Sequence, residues 1–211
     1  VADRVWWRIE LGDSQGGDRM RHVSKAEVPL RIEPAPLAHP HEQAVSGSAA
    51  GSFGALVSLG IAPWATHTTT PGAVDSFLDV GASGATNPFT GHVDGVGQAQ
   101  YAAGVHPNVT GDITFTAAAA PETLRFNTDG VALTQDGYGM TLGSGGILVT
   151  SSITTGASLS GGVLTSNFDA DGAASGVVCD LMIHNYGGGV FEIGSTITDN
   201  GVNAVNLVLG G

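Results

Sequence analysis

The stretch Gly143-Ser-Gly-Gly-Ile-Leu-Val-Thr150 joins two adjacent glycines to a short run of apolar and β-branched residues. The same order returns in Leu159-Ser-Gly-Gly-Val-Leu-Thr165 and, more loosely, in Gly187-Gly-Gly-Val-Phe-Glu-Ile193. No long charged loop separates these copies in the sequence. A pair of glycines that repeatedly precedes a short strand is typical of a solenoid, in which successive turns of the chain stack on one another.

Short apolar and β-branched runs continue from Val109 to the end of the sequence, separated by Gly, Asn, Asp and Ser. Most of these runs begin too close together for a helical crossover between parallel strands. They lie at 113–115, 124–126, 131–133, 140–142, 147–150, 163–165, 177–183, 190–193 and 205–209. Because a strand signal is present and a helix signal is absent, the sequence predicts an all-β fold.

Among all-β folds, the Gly-Gly steps favour a parallel β-helix, or β-solenoid. Three strands of about eight residues in each coil would give about four coils between Val109 and Gly211. Glycine is needed at turns that adopt positive φ, which explains much of the content of 33 glycines. A β-sandwich or a jelly roll also uses many short strands, but its loops are not expected to repeat near-identical Gly-Gly steps.

The runs from Leu142 to Thr165 and from Leu181 to Gly201 resemble autotransporter-associated β-helix repeats of bacterial surface proteins. The resemblance covers about the last 70 residues, extends weakly back to Val109 and does not include residues 1–108. It implies a right-handed parallel β-helix on the cell surface. It also implies an adhesive, display or scaffolding role.

Charge divides the sequence into unlike parts. The chain has 211 residues, with 7 Lys and Arg against 19 Asp and Glu, for a net charge of −12. Residues 1–31 are near +1 and the remainder near −13. A Pro-rich connector follows at 32–41. We therefore predict an N-terminal extension or arm at 1–40, an N-terminal β region or cap at 41–108, and parallel β-helix repeats at 109–211.

Composition also limits the partners and the compartment. A strongly acidic chain repels nucleic acids and anionic membranes. The most membrane-like run, Ala44 to Thr66, is diluted by Gly and Ser and is broken by Pro63, so we expect no membrane span. The single cysteine, Cys179, cannot form a disulfide within the chain, and its apolar alternating neighbours predict a buried thiol.

Residues that could carry chemistry are few. The best carboxylate cluster is Asp169 and Asp171, with Asp180 and Glu192 on neighbouring coils, and it would suit a polysaccharide hydrolase. A lyase would also need a basic residue, for which Arg125 is the single candidate in the repeats. A polar turn around the aspartates explains the same residues without any chemistry.

Three other patterns have ordinary explanations. Asp169 and Asp171 could bind calcium but do not fit a calcium loop. His39-Pro-His41 offers two metal ligands in a Pro-rich connector, and Gly12-Asp-Ser-Gln-Gly16 matches a nucleophile elbow without the helix and parallel sheet that an elbow needs. We assign no catalytic, metal-binding or cofactor-binding residue and expect no enzymatic activity. The alternative is the glycan-active β-helix enzyme.

The two ends of the sequence suggest assembly. A solenoid exposes unpaired backbone groups and a slice of apolar core at its last coil, which further coils or another subunit must cover. The basic N-terminal segment would complement an acidic neighbour. We therefore expect an extracellular or cell-surface structural protein that is a filament subunit, built head to tail from copies of itself, or an adhesin-like scaffold with surface glycans as partners. The candidate interface residues are Trp6, Trp7, Ile9, Val205, Leu207 and Leu209.

Overall fold

The computed structural model describes residues 30–32, 61–70, 73–80, 86–168 and 178–211. Within these ranges the protein is all-β, as the sequence predicted, with one 3-10 turn at Gln98–Tyr101. No helix in these ranges is long and apolar enough to cross a bilayer. In chain order the strands are β1 (Leu30–Ile32), β2 (Ile61–Thr70), β3 (Ala73–Val80), β4 (Thr86–Pro88), β5 (His92–Asp94), β6 (His106–Val109), β7 (Ile113–Thr114), β8 (Thr123–Phe126), β9 (Ala132–Thr134), β10 (Gly139–Leu142), β11 (Gly146–Val149), β12 (Gly156–Ser166), β13 (Val178–Asn185), β14 (Val190–Ile197) and β15 (Ala204–Gly210).

Most of the strands belong to two parallel sheets. Sheet 1 has the order β5-β6-β8-β11-β13-β15, and all its neighbouring strands are parallel. Sheet 2 has the parallel order β7-β9-β12-β14, with β10 beside the second half of β12. The strand β1 joins sheet 2 at its edge, antiparallel to β14.

The chain moves back and forth between the two sheets. It passes from β6 in sheet 1 to β7 in sheet 2, returns to β8, continues to β9 and β10, and repeats this course as far as β15. In sheet 1, Leu124, Ile147, Ile183 and Leu209 are register partners in successive strands. Parallel pairing between strands one turn apart therefore stacks apolar side chains in columns, as the sequence predicted.

The turns differ in length. The register partners Val109, Phe126, Val149 and Asn185 are separated by 17, 23 and 36 residues, whereas the sequence predicted about 24 for each turn. The last interval is long partly because 11 residues connect β12 to β13, compared with 3 between β10 and β11. The regular repeat expected from the sequence is therefore only approximate.

The three Gly-Gly steps occupy different places in the turn. The first, with Gly145 at φ 69°, connects β10 to β11. The second, Gly161 and Gly162 at φ 70° and 58°, lies inside β12, where its register shifts, and the third connects β13 to β14. The copies in sequence are therefore not stacked on one another, because each marks a different bend of the chain.

The core lies between the two parallel sheets. Its side chains are the inward-facing residues of alternating positions, and the rings of Phe126 and Phe191 meet there with centroids 4.8 Å apart. Cys179 is buried on an alternating strand, as predicted. The fully buried side chains include Val109, Leu124, Phe126, Leu133, Leu142, Ile147, Val149, Ile153, Leu159, Leu164, Leu181, Ile183 and Phe191.

A third, antiparallel sheet of β2, β3 and β4 covers part of the outer face of sheet 1. Ile61 and Phe77 from this sheet 3 pack with Leu148 of β11, and all three are fully buried. The amide and the hydroxyl of Ser151 both donate to the carbonyl oxygen of Val74, at 2.9 and 3.1 Å. Sheet 1 is therefore buried on both faces at β11, which explains why Gly146–Val149 is a continuous buried run.

Candidate functional site

The edge of sheet 1 at β15 contains half of the predicted interface. Val205, Leu207 and Leu209 alternate with more exposed residues and are half-buried against the core. Their register partners on β13 are Cys179, Leu181 and Ile183, which are 4%, 0% and 0% exposed. The side chains of these apolar columns are thus buried at β13 and only partly buried at β15.

Among the described residues, β15 pairs with β13 on one side and with no strand on the other. Val208 is 45% exposed on this strand, and Val202, just before it, is 98% exposed. A long edge strand with apolar side chains is a template for pairing with further chain. The structure therefore brings Val205, Leu207 and Leu209 together, whereas Trp6, Trp7 and Ile9 lie outside the described residues.

The corresponding edge of sheet 2 is occupied. β1 pairs with β14 in the register Leu30 to Ile193, Arg31 to Glu192 and Ile32 to Phe191. A part of the N-terminal extension thus reaches the last turn of the same chain. The sequence predicted that this extension would meet the acidic body of a neighbouring copy; in the structure β1 pairs with β14 of its own chain, and contact with a neighbouring copy stays a prediction.

A polar cluster lies where sheet 3 meets the outer face of sheet 1. Asp94, Asn108 and Arg125 are register partners on β5, β6 and β8. The amide of Asn108 donates to Oδ1 of Asp94 at 3.0 Å, and Nε of Arg125 donates to Oδ1 of Asn108 at 3.0 Å. Nη1 of Arg125 also donates to the carbonyl oxygen of Asp75 in sheet 3, at 3.2 Å. One half-buried guanidinium therefore links the two sheets.

The charge of Arg125 is set by opposing effects. Burial lowers the pKa of its guanidinium, while the carboxylates of Asp75 and Asp94 raise it. A guanidinium remains protonated at any physiological pH. The cluster is therefore a half-buried cation near two carboxylates, and its hydrogen bond to the carbonyl oxygen of Asp75 joins sheet 3 to sheet 1.

Two histidines lie beside this cluster. His92 and His106 are register partners on β5 and β6, and Nδ1 of His106 lies 3.0 Å from Oγ1 of Thr123. The ring of Phe89 contacts both imidazoles, with centroids 5.0 Å from His92 and 4.7 Å from His106. His106 is only 4% exposed, and its Nε2 makes no hydrogen bond within the described residues.

Both imidazoles are neutral at neutral pH. Burial, reinforced by the charge of Arg125 and by His106, lowers the pKa of His92 to about 3. Burial also lowers the pKa of His106, against the opposing effect of the Glu122 carboxylate. Protonation of either ring would place a charge among half-buried and aromatic side chains. We call this region, which contains Phe89, His92, His106 and Arg125, the junction between sheets 1 and 3.

A cavity of about 390 Å³ opens beside the junction, lined by Asp75, Ser76, Pro88, Phe89, Thr90, His92, Arg125 and Asn127.

The carboxylates considered from the sequence do not form a cluster in the described ranges. Asp169 and Asp171 lie outside them. Asp180 is on β13 in sheet 1, where it accepts a hydrogen bond from the Asn206 amide at 3.2 Å, and Glu192 is on β14 in sheet 2. No group of three or more His, Cys, Asp or Glu side chains in the described ranges could hold a metal ion.

The junction contains residues that the sequence did not identify as a group. Parallel pairing places His92 beside His106 and Asp94 beside Asn108, and the sequence did not connect these four residues. The sequence contains a pattern that could have identified this group, because His-Val-Asp at 92–94 and His-Pro-Asn at 106–108 place similar polar residues 14 residues apart.

Comparison with protein families, curated proteins and solved structures finds no match to this chain.

Proposed function

We propose that this protein is an extracellular structural protein, a β-solenoid that assembles head to tail with copies of itself. The observation that carries the proposal is the row Val205, Leu207 and Leu209 at the edge strand β15. The row is half-buried, while the same columns are closed one strand earlier. Adding a strand there would complete the burial and would pair the edge of β15 that no described strand occupies.

Stacked parallel strands support the solenoid part of the proposal. From β6 onward the chain alternates between sheets 1 and 2, and the parallel neighbours lie one turn apart. Such connections between parallel strands are almost always right-handed, so we propose a right-handed parallel β-helix. An added copy would continue both sheets along the same axis, which generates an open filament because the two contacting ends differ.

The resemblance to autotransporter-associated repeats supports a place on the cell surface. An acidic outer surface and a body without disulfide bonds are compatible with a bacterial surface scaffold. In this role the repeats act as a rigid spacer or an adhesin-like scaffold, with surface glycans as a second class of partner. The filament is the more specific form of the proposal, because β15 carries half-buried apolar side chains at an edge that no described strand occupies.

The experiment compares Leu207→Asp with Val202→Asp. Both substitutions add one negative charge near the same edge, but Leu207 is half-buried in the row and Val202 is 98% exposed. We expect the unmodified chain to form concentration-dependent oligomers in analytical ultracentrifugation and filaments in negative-stain electron microscopy. Leu207→Asp should be monomeric, with its β signal in circular dichroism preserved, and Val202→Asp should assemble normally.

A second variant tests the N-terminal part of the interface. Deletion of residues 1–40 should leave soluble monomers, since it removes the basic segment that complements the acidic body. A chain that stays monomeric at every concentration, or one whose assembly is unchanged by both Leu207→Asp and the deletion, would disprove the proposal.

A further inference from the structure

The strand β1 differs from the other strands of sheet 2. It runs antiparallel to β14, whereas the remaining strand pairs of sheet 2 in the described ranges are parallel. It consists of three residues and, among the described strands, pairs with β14 alone. A short strand added to the open edge of an existing sheet is the geometry of β-strand addition by a separate peptide segment.

β1 also lies at the end of the stack that the proposed assembly uses. β14 is the last strand of the parallel order in sheet 2, and the chain continues from it to β15 in sheet 1. β1 therefore occupies, beside β14, the layer that β15 occupies in sheet 1. In a head-to-tail filament this layer is the joint between two copies.

We propose that β1 is an exchangeable arm, so that in the assembled protein residues 30–32 of one copy pair with β14 of the adjacent copy. This inference rests on the proposed head-to-tail assembly. The register pairs are the same whichever copy supplies the arm, so exchange loses no contact and is a form of domain swapping. The arm would then fasten each joint of the filament by backbone pairing.

The chain between β1 and β2 is long enough for either arrangement. Residues 33–60 separate the two strands, and a segment of this length can extend to about 90 Å. Sheet 3, which begins with β2, packs on sheet 1 at Leu148 of β11. The β15 layer of the same copy is two strands from β11, about 10 Å along the stack, and that of a copy stacked beyond β5 is four strands away, about 20 Å.

Electrostatic attraction favours pairing of the arm with the acidic remainder of the chain, whether in the same copy or in another. Residues 1–31 are near +1, and the remainder of the chain is near −13. Within β1, Arg31 is the register partner of Glu192. An arm that leaves its own edge therefore has the same acidic register partner on the next copy.

The experiment uses disulfide trapping in full-length chains that carry Cys179→Ala. One chain carries Arg31→Cys and the other carries Glu192→Cys, and the two are refolded together, allowed to assemble and oxidised. Register partners in an antiparallel pair lie close enough for a disulfide. We expect a covalent heterodimer on a non-reducing gel, at least tenfold above the level from Ile32→Cys mixed with Glu192→Cys, because neighbouring residues point to opposite faces.

A double variant with Arg31→Cys and Glu192→Cys in one chain gives the complementary measurement. Exchange predicts a ladder of covalent oligomers. If this variant closes only within single chains, or forms no disulfide, while electron microscopy still shows filaments, exchange is wrong and the proposed assembly stands. If neither filaments nor intermolecular disulfides form, both proposals are wrong.

Discussion

Nε of Arg125 donates a hydrogen bond to Oδ1 of Asn108, 3.0 Å away on the neighbouring parallel strand. Asn108 in turn donates to Asp94, so a carboxylate, an amide and a guanidinium are linked across three strands. The same guanidinium reaches the carbonyl oxygen of Asp75 in sheet 3. The one basic residue of the acidic body is therefore used to hold sheet 3 on sheet 1.

Replacing Arg125 should loosen this junction. Arg125→Met keeps much of the apolar stem but leaves Asn108, Asp75 and Asp94 without their cationic partner, so we expect a loss of about 2 kcal/mol in the free energy of unfolding. Arg125→Lys keeps the charge but not the planar fork, and should recover about half of the loss. Urea unfolding followed by circular dichroism measures both, and equal stability of all three chains would contradict the assignment.

Acidification should destabilise the junction through His92. Its pKa in the unfolded chain is near 6.5 and in the folded protein about 3, so between these values the unfolded chain binds more protons. The contribution of the neutral His92 to the free energy of unfolding is therefore fully present above pH 6.5 and is lost as the pH falls toward 3. The expected loss is about 2 kcal/mol between pH 7 and pH 5.

The measurement is urea unfolding between pH 7 and pH 5 for the unmodified chain, His92→Leu and Val93→Leu. His92→Leu should remove most of the pH dependence assigned to this group, since a leucine in the same site has no proton to gain. Val93, the next residue of β5, is 46% exposed and serves as the control; Val93→Leu changes no titratable group and should leave the slope unchanged. Parallel slopes for His92→Leu and the unmodified chain would count against the buried neutral imidazole.

The bend inside β12 should be sensitive to one methyl group. Gly162 has φ 58°, and a Cβ there would overlap the carbonyl oxygen of Tyr138 and lie 2.9 Å from Cβ of Gln135. Gly130 has a similar φ of 71° with open space around the same position. Gly130→Ala should therefore cost about 1 kcal/mol from backbone strain alone, and Gly162→Ala about 3 to 5 kcal/mol.

Thermal and urea unfolding compare these two variants directly. The difference between them isolates the steric overlap, because the strain of a positive φ is common to both. Similar stabilities for Gly130→Ala and Gly162→Ala would mean that the close approach of Tyr138 is relieved by a small movement of the turn.

The edge residues and the buried junction were not equally visible in the sequence. Val205, Leu207 and Leu209 share a face because side chains alternate along a strand, and this alternation is local. His106 and Arg125 gain their roles from neighbours that are distant in sequence, such as Asp75, 50 residues from Arg125. No pattern around Arg125 indicates that sheet 3 would supply that carbonyl oxygen.

By itself, the sequence determined that the protein is all-β and that Cys179 is buried, because strand periodicity and turn residues are properties of short segments. Only the tertiary structure decided that the Gly-Gly steps mark different bends, that sheet 3 covers β11 and that β1 adds to β14. These features depend on which strands pair and in what register. The alternation of apolar residues fixes which face of a strand is buried. The partner strands lie far apart in the chain, as Leu30 and Ile193 do, and local spacing does not select them.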